Sequence, residues 1–292
     1  MKQIELNRLF TQLSLFNFAL TPTVSSALDY ETRFQLGVMD YQYEQKPITH
    51  SNGDKSSGYK LGSIMPFAGG GVTVFRNKLF FDLYLQKAVS GSDQATLKFD
   101  DADDSSNFSD ENIDSDFDRE EYSLSLGYTI GSQGALFIGY RESTTYFDES
   151  SDVHNKNSTI TSIINLDFKQ QGYFLGGVYA FSVSEQTAIT LSAALAFLDG
   201  EYKFSSRSVG ESDNGGGTPP EDSFAKVSEG DTKGLTLGVT WKGRLSERFD
   251  YTLGLNGYKY DFDFQNVDSG RTADPKLAES VTRLSTGISY RF

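Results

Sequence analysis

Apolar and polar residues take turns along this chain with a period of two. Tyr122, Leu124, Leu126, Tyr128 and Ile130 are interleaved with Ser123, Ser125, Gly127 and Thr129. Leu79, Phe81, Leu83 and Leu85 alternate with Phe80, Asp82, Tyr84 and Gln86, and Leu235, Leu237, Val239 and Trp241 with Thr236, Gly238, Thr240 and Lys242. Successive strand residues point to opposite faces, so this pattern builds a sheet with one bulky apolar face and one small or polar face. Ten segments alternate in this way and none carries a sustained helical stripe. The expected class is all-β.

The connections sort by length. Arg76-Asn77-Lys78, Gly131–Gly134, Ser182–Gln186 and Leu245–Arg248 are short, whereas 46–58, 91–118, 148–158, 205–231 and 265–279 are long, polar and rich in Gly, Asp, Asn and Ser. A sandwich has no reason to put every long loop at one end. A barrel that crosses a membrane does, with a lipid-facing apolar face and a polar lumen. The expectation is a single antiparallel transmembrane β-barrel of about ten strands. Two segments keep eight and twelve open. In Leu61–Phe75, Pro66 and Gly69-Gly70-Gly71 weaken the alternation and suggest a bulge or a close backbone approach; in 159–181 the apolar parity shifts near Asp167–Gly172, suggesting another bulge. No stretch reaches the ~18 apolar residues of a membrane helix. The low mean hydropathy fits a barrel in which only alternate strand residues meet lipid.

The last alternating strand places Leu284, Ile288, Tyr290 and Phe292 on one face, opposite Arg283, Ser285, Gly287, Ser289 and Arg291. Its ending, Ile288-Ser289-Tyr290-Arg291-Phe292, resembles the C-terminal strand of Gram-negative outer-membrane β-barrel proteins. The resemblance covers 28–292 at the level of architecture. It implies short periplasmic turns, long extracellular loops and a cell outer membrane location. Its partners would be outer-membrane lipid and lipopolysaccharide, together with the periplasmic chaperones and barrel insertion machinery, the latter reading Tyr290 and Phe292 as an insertion signal. Residues 1–27 read as a signal peptide, with basic Lys2 and Arg8, an apolar run Leu13–Leu20 and a small-residue site Ser25-Ser26-Ala27. The absence of cysteine suits a barrel locked by strand pairing. A net charge of −14 argues against nucleic acid as a partner. Sequence leaves the oligomeric state open.

Between Asp93 and Glu121 lie twelve carboxylates against Lys98 and Arg119. Asp100, Asp101, Asp103 and Asp104 form a candidate loop for weakly held Ca²⁺ or Mg²⁺, although the spacing lacks the central Gly and closing Glu of an EF-hand. The plainer reading is a solvated, self-repelling loop, and no tightly bound cofactor is expected. His50-Ser51 invites comparison with outer-membrane phospholipase, but adjacent strand residues face opposite ways. Omptin proteases use an Asp-His pair; Asp152 and His154 have that spacing but fall in an expected loop. The reading is therefore non-enzymatic.

The parity opposite the bulky face carries Arg33, Asp82, Arg141, Lys242, Asp250, Arg283 and Arg291. These are the expected lumen-lining residues, with Lys242 and Asp250 facing each other across one short turn and Arg291 beside them. Either they pair and fill the lumen, or they line a water-filled path and set its ion preference. Inward Phe80, Tyr84, Phe137 and Tyr258 favour filling. The leading functional expectation is a narrow porin-like channel for small polar solutes or ions. The alternative is a non-conducting structural or surface-interaction barrel that displays acidic loops.

Overall fold

A computed structural model describes residues 29–49, 55–97, 99–100, 108–155, 158–212, 222–265 and 276–291. The proposed signal peptide, His50, Asp101, Asp103, Asp104 and Phe292 lie outside the described residues. Ten long strands form the body: β1 Asp29–Gln45, β2 Tyr59–Arg76, β3 Leu79–Leu97, β4 Phe108–Ile130, β5 Gly134–Asn155, β6 Ser158–Ser182, β7 Thr187–Ser212, β8 Asp222–Arg244, β9 Phe249–Gln265 and β10 Lys276–Arg291. Each pairs antiparallel with its chain neighbours, and β1 pairs with β10 from Glu31↔Arg291 to Gln45↔Leu277, closing the barrel. Three two-residue strands, Ile48–Thr49, Lys55–Ser56 and Phe99–Asp100, make a small separate sheet.

The four short turns fall where the sequence puts them, with Asn77 and Gly131 at positive φ in two of them. The long loops are a different matter. Strands of 16 to 26 residues run through most of them, although ~9–11 tilted residues suffice to cross a bilayer. Asp114, Asp116 and Asp118 are strand residues of β4, and Asp152 and His154 belong to β5, where His154 pairs with Thr159.

The reason is an inversion of polarity along every barrel wall. On β1 the outward residues run Phe34, Leu36, Val38 and then Asp40 and Gln42; the inward ones run Arg33, Gln35, Gly37 and then Met39, Tyr41 and Tyr43. On β8 the outward Trp241, Val239, Leu237 and Leu235 give way to Lys233, Asp231 and Glu229. On β6 the outward Tyr179, Leu175 and Tyr173 give way to Gln171, Lys169 and Asp167, while Leu166 and Phe168 turn inward. The apparent parity shift in 159–181 is therefore not a bulge. Pairing on both sides of β6 is unbroken; what changes is the solvent outside the wall, from lipid to water. Aromatic residues mark the belt's edges, including the Tyr140–Tyr173 pair above and Trp241, Phe249 and Tyr290 below.

β2 also runs without a register break against β1. Its glycines make close approaches instead. A Cβ on Gly71 would lie 3.0 Å from the Arg33 guanidinium carbon, and one on Gly69 would lie 2.5 Å from the Tyr84 hydroxyl. Pro66, which has no N–H to give, sits one residue beyond the last β2–β3 pair, Phe67↔Ala88. The irregularity lies on β3, between Ala88 and Gly91, where Ser90 takes a φ of 63°.

Candidate functional site: a lumen filled in three layers

The inward face of the barrel sorts into layers. At the end with the short turns, Lys242 Nζ lies 2.7 Å from Glu31 Oε1 and 3.3 Å from Asp250 Oδ2, and Arg291 pairs with the same Asp250. The β8–β9 turn sets this up, because Arg244 pairs with Asp250 in the ladder and Lys242 is two residues behind it on the same face. Higher up, Arg33 donates to both carboxylate oxygens of Asp82, at 2.6 and 2.8 Å. Thr73 Oγ1 donates to Oδ1 at 2.6 Å and accepts from Arg33 at 2.9 Å. The pair reaches from β1 to β3 across β2, over the cleared backbone at Gly71.

The second layer sits near the top of the lipid-facing belt. Arg119 and Glu279 are 2.8 Å apart and each only 1% exposed. Arg119 also donates to Thr145 Oγ1 at 2.6 Å. Arg141 donates to Glu121 Oε2 at 2.7 Å and to the Tyr260 hydroxyl, and Arg283 donates to Gln86 Oε1 at 2.8 Å and Glu121 Oε1 at 3.4 Å. The Tyr258 ring stands among all three guanidiniums, 4.3 Å from Arg141, 5.4 Å from Arg283 and 5.7 Å from Arg119. A charge held in such a place needs partners on several sides, and cation–π contact adds to the ion pairs.

The third layer is apolar. Met39, Tyr41, Tyr43, Leu61, Phe117, Phe147, Phe168 and Phe262 are each at most 3% exposed. Their rings touch in series: Tyr41–Phe117 at 5.4 Å, Phe117–Phe147 at 5.5 Å, Tyr43–Phe147 at 5.2 Å and Phe168–Phe262 at 5.4 Å. Tyr43 on β1 meets Phe168 on β6 at 6.3 Å, although these strands stand on opposite sides of a ten-strand ring. Above this layer, and well outside the belt, Glu149 is 5% exposed and accepts only a 3.4 Å hydrogen bond from Ser115. Burial pushes its carboxyl up to about 7, and the nearby Glu111 carboxylate adds to the shift.

All seven expected lumen charges thus sit on the inward parity. They fall into two groups, with Arg33, Asp82, Lys242, Asp250 and Arg291 low and Arg141 and Arg283 in the middle layer. Glu121, shared by Arg141 and Arg283, and the adjoining Arg119–Glu279 pair lie in stretches whose sequence looks like acidic loop. Extending the β4 parity by two and four residues from Ser123 finds Glu121 and Arg119. Of the metal candidates only Asp100 is placed, by its backbone pairing with Lys55, and the described residues contain no group of three or more His, Asp or Glu that could hold a metal ion. Tyr290 packs its ring on Phe249 at 4.7 Å, in the lower girdle. Asp152 is exposed and accepts from Thr161 at 2.7 Å.

No family model and no curated protein matches the chain. Solved structures do. The outer membrane protease OmpT from Escherichia coli is 11% identical, with 93% of this chain and 99% of that one covered and a TM-score of 0.59. The translocator domain of the autotransporter NalP from Neisseria meningitidis (11% identity, 100% and 95% covered, TM-score 0.39) and Ail, the attachment invasion locus protein of Yersinia pestis (12%, 90% and 98%, 0.28), match more loosely. At these identities the likeness speaks for the fold alone. The closed ring of ten antiparallel strands and its apolar belt make the chain a transmembrane β-barrel of the Gram-negative outer-membrane type.

Proposed function

We propose that the protein is a non-conducting surface barrel of the outer membrane, whose work is done by the acidic collar it raises above the lipid. One observation carries this reading: rings from opposite walls meet across the lumen, Tyr43 with Phe168 at 6.3 Å. An ion on this path would leave water for an apolar layer, at a cost that closes such constrictions. The middle layer of paired charges supports the same reading. Outside, Asp40, Asp114, Asp116, Glu120, Asp148, Asp199, Asp231 and Asp261 are all exposed on the wall above the belt. This puts the display reading ahead of the porin-like one, and it remains non-enzymatic.

The test is conductance of the refolded barrel in a planar bilayer, beside a variant carrying Tyr43→Ala and Phe168→Ala. The expected result is silence from the parent. Discrete, reproducible steps from the parent, with selectivity that shifts on Arg141→Gln or Arg283→Gln, would restore the channel.

A further inference from the structure

The outer wall holds a recess of about 590 Å³ where β9, β10, β1 and β2 pass from lipid to water. The register explains it. At the second level above the belt, Lys259, Ser280, Gln42 and Gly62 stand side by side on successive strands. One level lower come Gly257, Thr282, Asp40 and Ile64, and below those Leu255, Leu284, Val38 and Pro66. Small residues at 280 and 62 form a floor between longer side chains. Ile64, 71% exposed, continues the apolar belt upward into the recess.

The charges in the recess are unevenly used. Lys60 is 3.1 Å from Glu44, a pair that satisfies itself. Lys259 and Asp40 have no ion-pair partner among the described residues; Asp40 accepts only a 3.5 Å hydrogen bond from Gln42. The two backbones are two strand spacings apart and offset by two residues along the strands, about 12 Å in all, with Ser280 and Gln42 between. The site therefore offers one cation, one anion and neutral hydrogen-bonding groups, at the height where lipid headgroups sit and directly above a wall suited to acyl chains.

We infer that this recess binds a zwitterionic phosphoethanolamine headgroup, its phosphate on Lys259 and its ammonium on Asp40. A headgroup that is only anionic gains Lys259 but meets Asp40 and Glu44. Choline brings a positive charge with no N–H to donate. A primary ammonium beside a phosphate answers both side chains, and each charge-assisted bond is shielded on one side by protein. The same headgroup chemistry occurs on a phospholipid or on an amine-decorated glycolipid.

Native mass spectrometry of the folded full barrel in detergent tests this, with phosphatidylethanolamine, phosphatidylglycerol and phosphatidylcholine titrated singly. Phosphatidylethanolamine is expected to stay bound about tenfold better than either competitor. Lys259→Gln should lower its retention to the choline level, and Asp40→Asn should erase its advantage over the glycerol lipid. Ser280→Leu, which fills the floor and leaves both charges, should abolish retention. Folding is read by heat-shifted mobility, and neither charge is buried. Soluble phosphoethanolamine competing the lipid off would mean that the headgroup suffices, so that either lipid source serves; competition only by intact lipid would tie the site to the acyl chains of a phospholipid. Equal retention of the three lipids, or unchanged retention in all three variants, overturns the assignment.

Discussion

Arg119 and Glu279 hold each other at 2.8 Å with almost no contact with bulk water. The value of such a pair depends on what replaces it. Arg119→Ala leaves a bare buried carboxylate, and is expected to cost about 3–5 kcal/mol. Arg119→Leu combined with Glu279→Leu removes both charges and should recover most of that loss. Urea midpoints of the refolded barrel measure both, and a double variant as unstable as the single would show that the pair itself supplies net stability. Glu149 poses the opposite case, a buried carboxyl with no ion-pair partner among the described residues and one 3.4 Å hydrogen bond from Ser115. Its folded value, raised from 4.5 to about 7, means that the neutral form is the one the fold prefers. Its contribution is fully present below about 4.5 and is lost as the pH climbs through about 7, on the order of 3 kcal/mol in all. Glu149→Gln should thus gain on the parent between pH 5 and pH 8. Parallel stability curves for the two proteins would contradict the burial argument.

Each strand changes its outer solvent partway along, so one strand can serve as its own control. Leu237→Arg, within the β8 belt, is expected to cost about 2–4 kcal/mol if it lies near the midplane, while Glu229→Arg on the same outer face should be close to neutral. Equal effects would mean that the belt has been drawn at the wrong height. The lower halves of the strands were legible in the sequence, because lipid outside and polar lumen inside give a strong alternation with four short turns to separate it. The upper halves were not. There Asp114, Asp116 and Asp118 alternate with Ser115, Phe117 and Arg119, a sound strand pattern whose phase is reversed and whose Asp and Ser residues have weak strand preference. Carrying the lower phase upward makes β6 look bulged and makes the lower part of 205–231 look like loop. The inward charges of the lower lumen could be read off parity, whereas Arg119, Glu121 and Glu279 were hidden in segments assigned away from the wall. Cross-lumen contacts such as Tyr43 with Phe168 join residues 125 positions apart, and no local pattern reports them.

For the molecule as a whole, the belt fixes a height in the bilayer. The chain has one tryptophan, Trp241, on the outer face among the lower aromatics. In vesicles of brominated lipid its fluorescence should be quenched more by bromines near the headgroup than by bromines at the chain ends. A tryptophan moved to position 201, in the background of Trp241→Phe, should escape both. Strong quenching at 201 would place the collar inside the membrane and remove the surface on which the display reading depends.

The reversal of polarity also divides the forces that hold the barrel. Below the inversion the outer wall faces hydrocarbon, so burying a leucine against lipid gains nothing over leaving it among other chains, and pairing and packing supply the stability. Above it the wall is an ordinary water-soluble barrel around a dry core, held by the hydrophobic effect, with the heat-capacity signature that weakens it on cooling. A single set of strands is thereby stabilised by two forces with different temperature dependence. Cold loosens the collar and its aromatic layer first, from the outside inward, while the part that holds the protein in the membrane stays closed.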